Sequence, residues 1–380
     1  MEKNALSVQL LDNHFDGVMD DNLSERVERG RRIEGILCSS GAKVLFEGVY
    51  TNPASEGYNF LPSEDTTLDM VRACKDKIAA HFRTDKVRIF SFNHKILIEI
   101  PAKHRRFPSL KDIFSFEEMN QGIPFILGEG ENGKLFIEDI RNVENLLVGG
   151  SDKKEVLSLA EMFLTTLLYR RSEEKVKVIL IGETFKPFEG IPHLIDSVVT
   201  EKSDIIKTMM SLRSEMYQRI DRCYSAGVGN IQVYNHIMRD QAVPEIVILV
   251  DKLGRAIDEI GPAITQFVSD LTLRGRYAGI YMIGFVNTAR LMRYPVKLPN
   301  IMHRIALHTD TVEESVLLLG DEGADALCGE GDMLISGFSS SPRRIQSPML
   351  TESDIKRVLR EVKNNSVFGL WEKDEAFINL

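Results

Sequence analysis

The stretch LLVGGSDKKEVL at 146–157 is the first place where residue types and spacing could do chemistry. An apolar strand ends here and a helix begins, an arrangement whose backbone amides often hold a phosphate. When the phosphate-loop pattern G-x-x-x-x-G-K-[ST] is started at Gly150, Glu155, Val156 and Leu157 stand at the second glycine, lysine and hydroxyl positions. No ammonium then reaches the phosphates, and a magnesium ion loses a ligand. Nucleotide hydrolysis is therefore not expected at this loop.

The acidic residues of this stretch have another expected use. Asp152 and Glu155 can form a capping box at the helix N-terminus, with Asp152 accepting from backbone amides and Glu155 reaching back. An apolar stripe follows along the helix at Val156, Ala160, Phe163 and Leu167. This spacing predicts that Val156 packs against the core.

The two lysines keep an alternative open, because Lys153 and Lys154 could attract an anion in an unorthodox loop. The predicted degenerate nucleotide-binding stretch therefore comprises Gly150, Ser151, Asp152, Lys153, Lys154, Glu155, Val156 and Leu157.

A second nucleotide-related element is the strand EIVILVD at 245–251. Such strands in nucleotide hydrolases end in a magnesium-binding carboxylate, followed by an acid that polarises water. Asp251 is present, but Lys252 occupies the next position and cannot accept a proton at neutral pH. We interpret Asp251 as a degenerate Walker B residue with a structural role and assign no catalytic residue. A salt bridge between Lys252 and a neighbouring acid is the structural explanation for the lysine.

The elements that hold these positions are predicted from hydrophobic patterns. From 123 onward, uniformly apolar strands alternate with helices, which is typical of an α/β fold with a mainly parallel sheet covered on both faces. The predicted strands are NLLVGG, VKVILIG, EIVILVD, GIYMIGFV and MHRIALHT, then a pair GDMLISG and RRIQSPML. Further upstream, KVLFEGVY, VRIF and KILIEI are predicted strands, with a helix over TTLDMVRACKDKIAAHF.

This pattern divides the chain into five parts. They are an N-terminal arm (1–43) with a charged helix from Leu23 to Ile36, a small α+β domain (44–101), a connector (102–122), an α/β domain (123–365) and a C-terminal tail (366–380).

Length, charge and cysteine content exclude several classes of protein. A chain of 380 residues suits two or three domains. Its 47 basic and 56 acidic residues give a net charge of -9, which excludes a polycationic nucleic-acid coat. The 4 cysteines lack paired spacing, so we expect neither a disulfide framework nor a zinc site, and a cytoplasmic location fits. No apolar run approaches the ~20 residues needed to span a bilayer, so no membrane association is expected.

Several longer segments together resemble the motor portion of the FtsK/SpoIIIE family of DNA translocases. They are QGIPFILGEGENGK, EGIPHLIDSVVT at 189–200, SEMYQRIDRCYSAGVGNIQVYN at 214–235, RGRYAGIYMIG at 274–284 and LGDEGADALCGEGDMLI at 319–335. The unit at 44–101 resembles the small domain that precedes the motor in that family. The resemblance implies a RecA-like P-loop NTPase fold, hexameric rings that pump double-stranded DNA with ATP, and roles in chromosome segregation and cell division.

The chain departs from the family pattern at the positions that handle nucleotide. Besides the broken phosphate loop and Lys252, the sensor-like glutamine of the family is matched by Asn287, and an arginine of the family is matched by Val316. The scaffold turns are kept at Gly190, Pro192, His193, Gly279, Gly331 and Asp332. The chain therefore keeps the family's residues at positions that determine the fold and lacks them at positions that determine the chemistry.

Two groups of cations and an aromatic tail are further candidates for contacts. Arg274 and Arg276 are candidates for contact with DNA or a neighbouring subunit, the alternative being a solvated helix end. The cluster Lys103, His104, Arg105 and Arg106 is better explained as a solvated linker than as a phosphate contact. Trp371 and Phe377 could dock on a partner or on the same chain.

The leading hypothesis is an FtsK-like protein with a degenerate ATP site, which serves as a non-catalytic assembly, DNA-binding or regulatory module. It would enter a homo- or hetero-oligomeric ring with FtsK-like subunits, and no cofactor is assigned to it. The alternative is an active DNA-dependent ATPase that holds Mg-ATP in a rewired site through Lys153, Lys154 and Asp251. A secretion-type relative that binds a protein substrate is a weaker third hypothesis.

Overall fold

The computed structural model describes residue 11 and residues 22–114, 122–293, 301–339 and 341–368. Within these ranges the chain forms a small α+β domain and a larger α/β domain that contact each other. None of the helices in the described ranges combines the length and apolarity needed to cross a bilayer. Most of the predicted tail, including Trp371 and Phe377, and residues 1–10 and 12–21 of the predicted arm lie outside the described residues.

The small domain is a four-stranded antiparallel sheet with the strand order β1-β2-β4-β3. Its elements are α1 (Leu23–Ser39), β1 (Val44–Thr51), β2 (Ser55–Pro62), α2 (Leu68–Arg72), α3 (Lys75–Phe82), β3 (Arg88–Phe92) and β4 (Lys95–Pro101). The predicted helix here is divided in two, because the amide of Cys74 makes a tighter turn by donating to the carbonyl of Val71. Strand β2 was not predicted.

Helix α1 belongs to the core of the small domain, although the sequence interpretation placed it in an N-terminal arm. Ile33 and Leu37 are fully buried among the strands and helices of that domain. Arg29 also donates to Glu56 at 2.8 Å, which ties α1 to β2. The small domain therefore includes residues upstream of the predicted boundary at 43.

The arginines of the connector tie it to the large domain. Arg105 donates to the carbonyls of Cys328 and Gly329 at 3.2 and 2.7 Å and pairs with Glu330 at 3.1 Å. Arg106 forms an ion pair with Glu129. These cations are used for internal contacts, and one short helix, α4 (Leu110–Ile113), follows them.

The large domain has one nine-stranded sheet with the order β6-β5-β13-β12-β11-β7-β10-β9-β8. Its strands are β5 (Pro124–Glu129), β6 (Leu135–Asp139), β7 (Asn145–Gly150), β8 (Val176–Ile181), β9 (Glu245–Val250), β10 (Ile280–Asn287), β11 (His303–Ala306), β12 (Asp332–Ser336) and β13 (Arg343–Gln346). Strands β8, β9, β10, β7 and β11 are parallel, as predicted, and the rest extend the sheet in antiparallel pairs.

Helices cover both faces of this sheet. They are α5 (Ile140–Val143), α6 (Lys153–Arg170), α7 (Lys202–Ser225), α8 (Ile231–Ile237), α9 (Leu253–Ile260), α10 (Pro262–Ala278), α11 (Thr288–Arg293), α12 (Val312–Leu319) and α13 (Glu352–Phe368). Alternate residues of β7 point to opposite faces, so Leu146 and Val148 pack with α6 and α13 while Leu147 packs with α7 and α10. The parallel strands are buried on both faces for this reason.

Candidate nucleotide site

The turn between β7 and α6 consists of Ser151 and Asp152 alone. The carboxylate of Asp152 accepts from the amide of Lys154 at 2.7 Å and so caps the helix. The amide of Ser151 donates to the carbonyl of His308 at 2.9 Å. Because α6 begins at Lys153, the residues matched to the second half of a phosphate loop lie in regular helix. The chain has no extended loop here that could surround a phosphate with amides.

Glu155 does not complete the predicted capping box, and that part of the prediction was wrong. Its Oε1 accepts from the amide of Glu330 at 2.6 Å, in a turn where Glu330 has a positive φ of 52°. Its Oε2 is buried and has no hydrogen-bond partner among the described residues. Burial, which outweighs that hydrogen bond, raises the pKa of Glu155. The side chain therefore crosslinks α6 to the turn before β12.

The two residues after Glu155 are apolar and lie against the core. Val156 is 7% exposed, and the stripe it starts is buried at Ala160, Phe163 and Leu167 as predicted. Leu157 is half-buried and points into a cleft. Neither side chain offers a group for phosphate or magnesium.

The hydroxyl of Ser151 belongs to a buried polar cluster centred on Glu314 of α12. Glu314 Oε2 accepts from Ser151 Oγ and from Thr288 Oγ1, each at 2.7 Å. The amide of Asp310 donates to Ser151 Oγ at 2.8 Å. Sequence reasoning missed Thr288 and Glu314. The only local signal was the Thr311-x-x-Glu314 spacing of a capping box, which does not reveal that the Glu314 side chain points to β7.

Asn287, the sensor-like residue, lies at the end of β10 beside this turn. Its Nδ2 donates to the carbonyl of Ser151 at 3.0 Å, and its Oδ1 accepts from the amide of Arg290 at 3.2 Å. The side chain thus links the turn after β7 to the start of α11.

Asp251 follows β9, and its carboxylate is engaged within the chain. Asp251 Oδ2 accepts from Thr184 Oγ1 at 2.6 Å and lies 3.8 Å from Lys252 Nζ. Lys252 has a left-handed backbone with φ 51° at the start of α9. Lys252 therefore offsets part of the negative charge that a magnesium ion would need from Asp251.

A cleft of about 250 Å³ lies at the carboxyl ends of β8, β9 and β10. It is lined by Lys153, Val156, Leu157, Ala160, Thr184, Phe185, Asp251, Lys252, Gly254, Arg255, Phe285, Val286, Asn287, Arg290 and Leu291. Among these described residues, Asp251 supplies the only carboxylate, and Lys153 lies in the lining whereas Lys154 does not. Across the described ranges, no group of histidine, cysteine and acidic side chains is arranged to hold a metal ion.

Arg274 and Arg276 lie in the last turns of α10, near the amino end of β10 and therefore at the opposite edge of the sheet. Arg274 pairs with Asp270 at 3.3 Å, and Arg276 pairs with Glu144 at 3.1 Å. Their side chains are 46% and 49% exposed. The structure does not bring them to the β7–α6 turn.

A sequence model of the FtsK/SpoIIIE family matches residues 110–316 of this chain. The chain belongs to the FtsK/SpoIIIE family. Among its relatives, the DNA translocase FtsK of Rickettsia typhi is 26% identical, over 93% of this chain and 53% of that protein. The DNA translocase FtsK of Borreliella burgdorferi is 27% identical, over 87% of this chain and 44% of that protein. The chain spans about half the length of these curated relatives.

Solved structures of ATPases share the fold of this family member. The conjugation coupling protein TcpA of pCW3, a monomer with ATPγS, has a TM-score of 0.59 at 14% identity, covering 89% of this chain and 99% of TcpA. ATPases 2 and 3 of EssC from Geobacillus thermodenitrificans give a TM-score of 0.56 at 18% identity, covering 66% of this chain and 50% of EssC. The large domain therefore has the P-loop ATPase fold that the sequence predicted.

Proposed function

We propose that this FtsK/SpoIIIE family member does not hydrolyse ATP and serves as an assembly, DNA-binding or regulatory module for DNA translocation. The observation that carries the proposal is the two-residue turn between β7 and α6, capped by the chain's own Asp152. An anion bound at a helix N-terminus needs free amides and a loop that surrounds it. Here the Lys154 amide is already taken by a carboxylate.

The residues present do not fit Mg-ATP, the cofactor that the fold implies. Leu157 supplies no oxygen for magnesium, and Val156 supplies no ammonium for the phosphates. Asp251 is already bound to Thr184 and neighbours Lys252, and the described lining of the cleft holds no second carboxylate to polarise water. No catalytic step through this site follows from such a set of groups.

The proposed partners are double-stranded DNA and FtsK-like subunits in a homo- or hetero-oligomeric ring. Relatives of this chain are named DNA translocases, which supports DNA as a partner. Arg274 and Arg276 are the proposed contacts with DNA or with the neighbouring subunit, because both remain about half exposed beside their acidic partners. A hexamer acting in chromosome segregation or cell division in the cytoplasm is the most specific form of this proposal.

Binding and turnover of Mg-ATP test the proposal directly. Isothermal titration calorimetry should detect no micromolar binding, and phosphate release should stay at background with and without double-stranded DNA. An FtsK relative with an intact phosphate loop, assayed in parallel, is the positive control. Turnover of ATP that rises with added double-stranded DNA would overturn the proposal.

A second candidate function is an active DNA-dependent ATPase with a rewired site. It is favoured by one observation, that Lys153 and Asp251 line the same cleft. If this chain hydrolyses ATP there, Lys153→Ala and Asp251→Ala should abolish phosphate release. Lys154→Ala is the matched control, because Lys154 lies next in the helix but outside the cleft. An unaffected rate in the first two variants would exclude the rewired site.

A further inference from the structure

The cleft at the carboxyl ends of β8, β9 and β10 combines an apolar floor with a basic rim. The floor is formed by Val156, Ala160, Phe185, Phe285 and Leu291. The rim carries Lys153, Lys252, Arg255 and Arg290, and Asp251 supplies the carboxylate among the described lining residues. Arg255 and Arg290 are paired with Glu259 and Asp258, which leaves Lys153 and Lys252 as the cations that face the cleft with Asp251 alone. A cleft with this lining favours an occupant that carries both aromatic rings and carboxylates. Binding would remove the rings from water, and the carboxylates would pair with the basic side chains of the rim.

Helix α13 brings the chain close to this cleft. Lys363, in the second half of α13, donates from its Nζ to the carbonyl of Glu189 at 2.6 Å. Glu189 directly follows a 3₁₀ turn, Glu183–Phe188, and two residues of that turn, Thr184 and Phe185, line the cleft. The described part of α13 ends at Phe368, about 7.5 Å further along a helix axis.

The sequence that continues from α13, residues 369–380, has the composition that the cleft suits. It reads GLWEKDEAFINL, with the aromatic residues Trp371 and Phe377 on either side of the acids Glu372, Asp374 and Glu375. At roughly 3.3 Å per extended residue, this segment can span about 40 Å. Trp371 itself lies three residues beyond Phe368, within about 10 Å of it. The contact of Lys363 with Glu189 places the start of this segment on the side of the domain that carries the turn bordering the cleft.

We propose that residues 369–380 dock in this cleft of the same chain, with Trp371 on the apolar floor and the acids against Lys153 and Lys252. Charge complementarity selects this segment over a neutral apolar partner. The docked segment would fill the space beside the β7–α6 turn. This inference goes beyond the proposed function and does not depend on it, because docking is measured without nucleotide.

Fluorescence of the full chain tests the proposal, because Trp371 is its only tryptophan. Docking should shift the emission maximum of the native protein to shorter wavelength and should lower quenching by acrylamide several-fold relative to the urea-unfolded chain. Emission and quenching equal to those of the unfolded chain would overturn the proposal.

Charge reversal locates the docking site. Lys153→Glu and Lys252→Glu should each replace an attraction with a repulsion and lower the ratio of docked to free segment by about tenfold. The emission should then move to longer wavelength. Lys154→Glu is the matched control, because it changes charge equally at the same helix end outside the cleft. Shielding of Trp371 that survives both cleft variants would mean docking elsewhere and would overturn the proposal.

A zero-length carbodiimide crosslinker reports contact directly, because it joins only amines and carboxylates that already touch. Mass spectrometry should find Lys153 or Lys252 linked to Glu372, Asp374 or Glu375, with a yield that does not change on dilution. Links that disappear on dilution, or that join isotope-labelled to unlabelled chains, would assign the cleft to a second copy and overturn docking within one chain.

Discussion

Glu99 of the small domain and Arg344 of the large domain form a buried ion pair, with Glu99 Oε2 3.2 Å from Arg344 Nη1. Their side chains are 3% and 1% exposed. Arg88 also pairs with Glu99 at 3.2 Å, and Asp332 pairs with Arg344 at 2.6 Å. Burial alone would raise the pKa of Glu99, but the two guanidinium groups outweigh it and hold that pKa below its ordinary value.

Removing one member of this network should destabilise the junction between the domains. Arg344→Met leaves Glu99 and Asp332 buried with too few partners, and we expect a loss of roughly 3–5 kcal/mol in the free energy of unfolding. Urea denaturation measures it. Arg343→Met is the control, because Arg343 is the preceding residue of the same strand and is exposed. Equal stability of the two variants would contradict a structural role for the network.

The polar cluster below the β7–α6 turn makes a second prediction about stability. Glu314→Ala removes the acceptor of the Ser151 and Thr288 hydroxyls, so we expect a loss of roughly 2–4 kcal/mol. Glu314→Gln keeps one acceptor oxygen and should fall between this variant and the wild type. Glu313→Ala, an exposed change in the same helical turn, should cost much less. Thermal unfolding of the wild type and the three variants measures these losses in stability. A small loss for Glu314→Ala would refute the prediction.

The parallel strands and the cap of α6 were predictable because their signals are local. Strand β7 is an uninterrupted apolar run, and Asp152 is a residue type that caps helices. Strand β2 escaped prediction because its buried positions include Ser55 and Glu56, which break the apolar pattern. Glu56 is tolerated there because Arg29 and Tyr58 donate to it and Arg26 pairs with it. No local rule identifies Arg29, which is 27 residues away, as a partner.

The candidate site was predictable in residue type but not in contacts. Because Val156 is apolar, its burial could be predicted from the sequence. The direction of Glu155 could not be foreseen, because its partner, the amide of Glu330, lies 175 residues later and is fixed by the packing of β12 against the rest of the sheet. The same applies to the pairing of Ser151 with Glu314, which is 163 residues away.

Contact of Arg274 and Arg276 with DNA predicts a change in salt dependence. Arg274→Glu combined with Arg276→Glu should weaken binding to double-stranded DNA and lower the slope of log K against log salt by about 1 for each phosphate that is no longer neutralised. Fluorescence anisotropy over a salt series measures both quantities. Arg32→Glu is the matched control, since Arg32 is also about half exposed and paired with an acid four residues away. An unchanged slope would show that these two arginines do not contact the DNA.

Neutralising Glu155 is predicted to raise the free energy of unfolding by an amount that depends on pH. Its folded pKa lies above the ordinary value of 4.5, mainly because of burial, so the carboxylate costs stability whenever it is charged. This cost is absent well below pH 4.5, where the group is protonated in both states; it grows as pH rises from 4.5 to the folded pKa and is constant above it. Glu155→Gln keeps an acceptor for the Glu330 amide without the charge. It should therefore be more stable than the wild type at about pH 7, with the difference vanishing toward about pH 4.

Urea denaturation of wild type and Glu155→Gln at several pH values between about 4 and 7 checks this sign. The exposed Glu64→Gln serves as the control and should give a difference near zero throughout. A Glu155→Gln variant less stable than wild type at neutral pH would mean that the ionised carboxylate, through its bond to the Glu330 amide, favours the folded state despite burial. The turn at Gly329 and Glu330 would then depend on the charge of Glu155, and burial would no longer account for the direction of its pKa.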